Sequence, residues 1–353
     1  MTRIKMSDVA RAAGVSAMTV SRALKQDGRI APATRRKILA VVGKLGYVPD
    51  RIAGSFSSQR SGFVGVLVPS LNNPHFAETA AGLQDILAPA GLHPLLGHTN
   101  YRAEQAELLI ETMLARRPEA MIVTFDDHTP RARHLLATAG IPIVEIWELP
   151  KKPIGHVVGF SNRDAAAAMT RHLIGLGRRR IGFIGEVNDK GTRGAERLKG
   201  YLDAVKGAGL DSSRRVGMHA PPINMSQGRL AMSELLHKWP DTDAVMCVSD
   251  PAAFGAMTAC MLLGKRVPED IALAGFGDFE ISRCAVPAIS TIAVDGLDIG
   301  RRAGALVLNL LQHQKDPARP LGRVPQIIVI EALPALRAST QPPQKTRKMP
   351  AGA

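Results

Sequence analysis

Two short helices are predicted by the apolar pattern of SDVARAAGVSAMTVSRAL, the segment that begins at Ser7. Ser7 is a candidate N-cap for the first helix, and Gly14 can adopt the left-handed conformation that ends it. Ser16 caps the second helix, in which Val20 and Leu24 lie four residues apart and can pack on the first. Two helices joined by so short a turn are typical of a helix-turn-helix, whose second helix enters the DNA major groove. An ordinary helical hairpin is the alternative.

A third helix and a linker follow. TRRKILAVVGKL comes after the start signal of Pro32, repeats apolar residues at helical spacing and stops at Gly46, so it completes a small helical core. The next segment, RIAGSFSSQRSG, is predicted to be disordered in isolation because Ser and Gly weaken a helix. On DNA it could become a helix whose Phe56 wedges between base steps. A plain linker that ends at Gly62 is an equal alternative.

The charge distribution favours the DNA-binding interpretation. The 353-residue chain has a formal net charge of +14, and residues 1–60 hold twelve Lys or Arg against three Asp or Glu. A basic N-terminal module on a nearly balanced body indicates a polyanion partner for that module.

The remaining chain alternates strand and helix patterns. FVGVLVPS is a β-branched run typical of a strand buried on both faces. The first half then predicts helices at 74–90, 102–116 and 131–139 between the strands LHPLLGHT, AMIVTF and PIVEIW. The second half predicts helices at 165–176 and 195–208 with the strands RRRIGFIGE, AVMCVSD, IALAGFG and STIAV. Two α/β halves around a cleft form a clamp for a small molecule, which binds beyond the carboxyl ends of parallel strands.

Candidate ligand-binding residues occur at those strand ends. They are Ser70, Asn73, His75, Phe76, Trp147, Phe160, Arg193, Arg197, Ser249 and Asp250. Two arginines four residues apart argue for an anionic ligand, since the planar guanidinium can donate two parallel hydrogen bonds to a carboxylate.

Several classes of protein are not expected. Neither GxGxxG nor GxxxxGK[ST] occurs, and no GxSxG or HExxH marks a hydrolase, so we expect no enzyme and no cofactor. Cys247, Cys260 and Cys284 form no metal set and no disulfide framework, which favours buried thiols in a reducing cytoplasm. MTRIKMSDV has no apolar core of a signal peptide, and no run approaches 18 apolar residues. We therefore expect neither secretion nor a membrane span.

DVARAAGVSAMTVSRAL followed by TRRKILAVVGKLGYVPD is similar to the headpiece of the lactose-repressor (LacI/GalR) family of bacterial transcription regulators, and the similarity continues to about residue 335. The resemblance implies a small all-α helix-turn-helix headpiece followed by a two-lobed α/β body like the periplasmic sugar-binding proteins. Its expected parts are a headpiece at 1–48, a hinge helix at 49–61, a body at 62–337 and a disordered tail at 338–353.

The resemblance also implies roles in DNA binding. Base contacts are expected from Ala17, Met18 and Arg22, phosphate contacts from Ser16, Thr19 and Ser21, and minor-groove contacts from the hinge residues Ala53, Ser55 and Phe56. Arg22 should make the strongest base contact, with a guanine, because alanine and methionine offer only van der Waals contact. The family usually has Asn where this chain has Asp50 and Leu where it has Phe56, which could change the preferred central base step.

Three strings, VEIWELP, GTRGAERLKGY and LAGFGDFEISR, resemble the gluconate-operon repressor branch of the family. Many members carry Asp where this chain has Gly277, with Asp278 next as a further candidate. The loss of a carboxylate opposite the arginines favours a sugar acid such as gluconate as effector. A neutral sugar, a corepressor, or a transport-type sugar-binding protein for the body alone are the alternatives.

The expected assembly is a homodimer, because two half-sites of a near-palindromic operator are read by a twofold pair of headpieces. The tail ASTQPPQKTRKMPAGA is Pro-rich and basic and carries no leucine heptad that would form a tetramer.

Overall fold

The chain divides into two compact units, Met1–Ser61 and Gly62–Ala353. The predicted hinge residues Ala53, Ser55 and Phe56 lie outside the residues that the structure describes. This structure is a computed structural model, and it describes residues 4–25, 29–48, 61–124, 128–187, 192–218, 223–314 and 324–341.

The N-terminal unit contains the three predicted helices, α1 (Met6–Ala13), α2 (Ala17–Leu24) and α3 (Pro32–Leu45). Gly14 ends α1 at a φ of 66°, and the Ser16 hydroxyl accepts the Thr19 N–H at 3.1 Å to begin α2. The apolar faces meet in a small core that includes Val9, Ala13, Val20 and Ile38.

The prediction of Ser7 as the N-cap of α1 was wrong. Lys5 is the N-cap, and its backbone N–H donates to the Asp8 carboxylate at 2.9 Å. The acidic side chain in the first turn therefore starts the helix two residues earlier than the serine would.

The first lobe of the body is a six-stranded sheet in which all neighbouring strands are parallel, in the order β11-β5-β4-β3-β1-β2. β1 is buried along almost its whole length, as its β-branched sequence predicted. The strands are β1 (Phe63–Val68), β2 (His93–His98), β3 (Met121–Thr124), β4 (Ile143–Ile146), β5 (His156–Gly159) and β11 (Ile327–Val329). The helices between them are α4 (Pro74–Leu87), α5 (Ala103–Leu114) and α6 (Pro130–Ala137), with a 3₁₀ turn at Ala88–Ala90.

The second lobe is a four-stranded parallel sheet in the order β7-β6-β8-β9. Its strands are β6 (Ile181–Gly185), β7 (Arg215–Gly217), β8 (Ala244–Cys247) and β9 (Ala272–Ala274). The helices that follow the first lobe are α7 (Asn162–Gly175), α8 (Arg193–Gly207), α9 (Met225–Lys238), α10 (Asp250–Leu262), α11 (Glu280–Cys284) and α12 (Gly296–His313). The mixed α/β fold predicted from the alternating pattern is confirmed.

The chain crosses between the lobes at three places. β5 belongs to the first sheet, whereas α7 after it packs on α8 of the second lobe. STIAV forms β10 (Thr291–Val294), which pairs antiparallel with β12 (Ala332–Ala335), and α12 returns to pack on α4. β11 then leads into β12, which makes the third crossing.

Two predictions about the second lobe need correction. The boundary of a disordered tail at 338 was wrong, because Ser339 and Thr340 are buried. The Ser339 hydroxyl donates to the Leu273 carbonyl at 2.6 Å and accepts the Ser290 N–H at 2.8 Å. Hydrogen bonds hold this segment in place. The scarcity of large apolar residues, from which disorder was predicted, therefore gave the wrong boundary. Cys284 is exposed, whereas the other two thiols are buried as expected.

No helix within the described ranges is long and apolar enough to cross a membrane.

Close packing of α7 against α8 depends on Gly200. A Cβ there would lie 2.0 Å from the Arg163 carbonyl oxygen of α7, whereas a Cβ at Gly207 of the same helix would meet nothing within 4 Å. Gly200→Ala is expected to lower the free energy of unfolding by about 1 to 3 kcal/mol through overpacking. Gly207→Ala should raise it by about 0.4 to 1 kcal/mol, because alanine restricts the unfolded chain.

Urea unfolding followed by circular dichroism checks this pair of substitutions. Equal effects of the two alanines would contradict the packing argument.

Candidate functional site

A cavity of about 430 Å³ lies between the two lobes of the body. It opens where the carboxyl ends of strands from both parallel sheets meet, as the strand-end argument predicted. Eight predicted residues line it: Ser70, Asn73, His75, Phe76, Trp147, Arg193, Arg197 and Ser249. Lining residues that the sequence analysis missed include Asn72, Tyr101, Glu186, Asn224, Phe276 and Phe279.

Four helices begin at the wall of this cavity. The N-cap residues of α4, α8, α9 and α10 are Asn73, Thr192, Asn224 and Ser249, and all four line it. Each N-cap side chain accepts a backbone N–H of its own first turn, at 3.0, 3.1, 2.9 and 3.4 Å respectively. The positive ends of four helix dipoles therefore converge on one space, which favours an anion there.

Arg197, on the first turns of α8, is held at the cavity by hydrogen bonds and an aromatic ring. Its Nε donates to the Asn162 side-chain oxygen and its Nη1 to the Val248 carbonyl, both at 2.8 Å. The guanidinium carbon lies 3.7 Å from the centre of the Phe276 ring, a cation–π contact. Burial and the neighbouring Arg193 lower the pKa of Arg197 to about 10, so the group stays charged at neutral pH.

Arg193 and Glu186 are the other charged residues that the structure describes at the wall. The Arg193 guanidinium lies 5.3 Å from the centre of the Phe76 ring and is buried. The Glu186 carboxylate is also buried, and it accepts a hydrogen bond from the Thr192 hydroxyl. Among the described residues of the wall, two arginines lie with one carboxylate, so these charged side chains carry a net positive charge.

Aromatic rings form a further part of the wall. His75 lies with its ring centre 4.5 Å from that of Phe279 and 5.3 Å from that of Trp147. Burial lowers the pKa of His75, so the ring is neutral at pH 7. Gly277 takes a φ of 131°, and a Cβ there would lie 3.1 Å from the His75 Nε2 atom. His75 and Phe279 thus occupy the space that a side chain at position 277 would need.

In the N-terminal unit, α2 presents the residues predicted to contact DNA. Ala17 and Arg22 are exposed, and Met18 is 62% exposed although it is apolar. The hydroxyls of Ser16 and Thr19 lie 2.9 Å apart at the start of the helix, and Ser21 is half-buried. An exposed methionine beside an exposed arginine is suited to the edges of bases in a major groove.

Both units match known protein families. Residues 5–50 match "Bacterial regulatory proteins, lacI family", and residues 170–330 match "Periplasmic binding protein-like domain". A relative from Pseudomonas aeruginosa, "HTH-type transcriptional regulator GntR", is 35% identical over 91% of this chain and 93% of its own.

The chain belongs to the LacI family.

This LacI-family protein is a DNA-binding transcriptional regulator. The Escherichia coli protein of the same name, GntR, is 34% identical over 81% of this chain and 86% of its own. A crystal structure of a LacI-family transcriptional regulator from Silicibacter pomeroyi superposes with a TM-score of 0.87 at 32% identity, and it covers 96% of this chain and 99% of that one.

Three residues that the sequence analysis placed in the effector site of this LacI-family regulator do not line the cavity. Phe160 is buried in the core between Trp147 and Phe276, at ring-centre distances of 6.1 and 6.2 Å. Asp278 turns away from the cavity, because Arg337 donates to its carboxylate. The strand-end rule locates a residue but does not tell which way its side chain points.

Asp250 is the third correction. Its carboxylate is fully buried and accepts the Phe279 N–H at 2.7 Å and the Thr291 hydroxyl. It therefore fixes the loop that carries Phe276, Gly277 and Phe279 to the cavity, and it supports the site without facing it.

Burial raises the pKa of Asp250 to about 6 from 3.8. A carboxyl whose folded-state pKa is raised stabilises the fold most at low pH. Its contribution to the free energy of unfolding should fall by about 2 kcal/mol as the pH rises from 4 to 7.

Urea unfolding of the wild type and Asp250→Asn at several pH values isolates this group, because the amide does not titrate. The stability of the wild type relative to the variant should decrease between pH 4 and 7. A constant difference would contradict the raised pKa.

Among the described residues of this LacI-family regulator, no group of three or more His, Cys, Asp or Glu side chains could hold a metal ion.

Proposed function

We propose that this LacI-family regulator is a repressor that a sugar acid, such as gluconate, releases from its operator DNA. The observation that carries the proposal is the cationic cavity, where Arg193 and Arg197 meet the N-termini of four helices. Such a site suits one carboxylate, because charge-assisted hydrogen bonds offset the free-energy cost of removing the carboxylate from water.

The rest of the cavity suits the remainder of a sugar acid. Ser70, Asn72, Asn73 and Glu186 supply hydroxyl, amide and carboxylate groups that can bond sugar hydroxyls. Phe76 and Trp147 supply apolar surface for the C–H groups of a carbon chain. A cavity with aromatic walls and a few convergent polar groups is typical of a small-molecule site.

The sequence supports the same effector class. Three strings of the body resemble the gluconate-operon repressor branch, and the two relatives named GntR are 34% and 35% identical to this chain. A neutral sugar remains the second candidate, because the Glu186 carboxylate could bind sugar hydroxyls. It is a weaker candidate than a sugar acid, because the described charged residues of the cavity wall carry a net positive charge. The match over residues 5–50 argues against a transport-type sugar-binding protein.

On the DNA side, we propose that two copies of the chain bind a near-palindromic operator. Ala17, Met18 and Arg22 contact bases, while Ser16, Thr19 and Ser21 contact phosphates. The hinge residues Ala53, Ser55 and Phe56 enter the minor groove in this proposal. A twofold dimer binds both half-sites of one operator, which gives the operator affinity typical of such regulators.

Release requires that the effector bind the released conformation better than the DNA-bound one. A coupling of about 1 to 3 kcal/mol changes operator affinity by about 5- to 150-fold, which is enough for regulation. A corepressor would have the opposite preference and would tighten operator binding.

Isothermal titration calorimetry of the purified protein tests the effector class. Gluconate should bind, and gluconamide, which keeps the carbon chain and hydroxyls but lacks the charge, should bind at least about tenfold more weakly. A protein that binds a neutral sugar or a purine and no sugar acid would contradict the proposal.

A further inference from the structure

Asn162 connects the two lobes beside the cavity without lining it. It is fully buried at the start of α7, directly after the first crossing between the lobes. Its side-chain oxygen accepts the Arg197 Nε–H at 2.8 Å. Its amide nitrogen donates to the Trp147 carbonyl at 3.0 Å and to the Glu148 carboxylate at 2.9 Å. One amide therefore ties the loop after β4 to the cation of α8.

These bonds fix the guanidinium in one orientation. Nε is held by Asn162 and Nη1 by Val248, while the guanidinium carbon lies 3.7 Å from the centre of the Phe276 ring. No described residue accepts a hydrogen bond from Nη2, and Arg197 lines the cavity. The guanidinium thus offers a ligand a set direction and at least one free N–H group.

Both protein groups that hold the guanidinium are neutral. An amide oxygen and a backbone carbonyl orient the cation, but neither cancels its charge. The acidic group nearest along this network is Glu148, which lies on the far side of the Asn162 amide and also accepts the Leu149 N–H at 2.9 Å. A carboxylate in direct contact with Arg197 would instead form a partly buried ion pair and leave little charge for a ligand.

We propose that Asn162 makes the cavity selective for anions, because it positions Arg197 through a neutral acceptor and not through a carboxylate in direct contact with the guanidinium. Asn162 is a positioning residue that acts through Arg197. The inference rests on the proposed function, since it explains why this site prefers a sugar acid to a neutral sugar.

The test compares the affinities of gluconate and gluconamide, measured by calorimetry, in the wild type and three variants. Asn162→Asp keeps the size of the side chain and adds a carboxylate against Arg197. Glu148, whose pKa burial already raises, can take up a proton and donate to the new carboxylate. The preference for gluconate, at least about tenfold in the wild type, should fall to within about threefold.

Asn162→Ser separates positioning from charge. The shorter hydroxyl cannot span from Arg197 to Glu148, so gluconate, which depends on the oriented guanidinium, should lose more affinity than gluconamide although no charge is added. Asn309→Asp is the matched charge control, because it adds a carboxylate on the exposed surface of α12, outside the cavity wall. Solvent screens this charge, so the ratio should change by less than about threefold.

Far-UV circular dichroism checks whether each variant is folded. An unchanged ratio in Asn162→Asp overturns this inference alone, provided that the wild type prefers gluconate. If Asn162→Asp does not fold, Asn162→Ser decides: an unchanged affinity ratio overturns the inference, and a loss that falls mainly on gluconate supports it. A wild-type protein that binds neither ligand overturns the proposed function, and this inference with it.

Discussion

Replacing Arg197 with alanine is expected to abolish the response to the effector. The change removes the charge that a carboxylate needs and leaves the Asn162 oxygen and the Val248 carbonyl without their donor. Loss of one partner of a desolvated charged pair costs about 2 to 5 kcal/mol, so the dissociation constant for gluconate should rise at least about 30-fold. Operator binding without effector should remain intact, because the cavity lies in the body and not in the headpiece.

Two further variants sharpen this prediction. Arg197→Lys keeps the charge but loses the planar fork, so it should bind gluconate with intermediate affinity. Lys206→Ala removes a positive charge from the exposed end of the same helix and should leave gluconate binding unchanged. Calorimetry and operator binding measure all three variants. A normal response of the Arg197→Ala protein to gluconate would show that Arg197 is not part of the effector site.

Arg22→Ala should weaken specific operator binding far more than non-specific binding. Arg22 is exposed on α2, and a bidentate contact from arginine to guanine contributes about 1 to 3 kcal/mol of discrimination. The affinity for operator should therefore fall about 5- to 150-fold. Affinity for unrelated DNA should fall only as far as the loss of one charge requires.

Arg11→Ala is the matched control for this loss of charge. Arg11 lies on α1 with its side chain 81% exposed, at 3.7 Å from the Asp8 carboxylate. The Arg11→Ala substitution should reduce the affinities for operator and for unrelated DNA by similar small factors. Fluorescence anisotropy with operator and scrambled DNA at fixed salt gives both constants. Equal losses on the two DNAs in Arg22→Ala would contradict base reading by this residue.

Much of the fold followed from local patterns. The helical period in residues 7–24 and the β-branched run of β1 each depend on near neighbours, which the sequence displays directly. STIAV was recognised as a strand, but its antiparallel partner β12 lies about 40 residues later, and no local signal announces that pairing.

The candidate site was predictable only in part, for a similar reason. The carboxyl ends of parallel strands meet, so Asn73, Arg197 and Ser249 could be placed together from order alone. Glu186 and Phe276 follow β6 and β9 and could have been found by the same rule.

The direction of a side chain and its remote partners were beyond that rule. Asp250 sits at a strand end yet points into the protein, where Thr291 and the Phe279 N–H satisfy it. Asn162 has partners 14, 15 and 35 residues away, and no spacing in the sequence reveals such a network.

Operator release by a sugar acid is the central claim, and one binding measurement tests it most directly. The purified protein is titrated onto fluorescent DNA from the region upstream of its own gene, with and without gluconate and a panel of neutral sugars. Tight binding that gluconate weakens at least about fivefold, with little effect of the neutral sugars, is the result expected for the proposed coupling. Binding that ignores every sugar acid and responds to a neutral sugar, or that gluconate tightens, would contradict it.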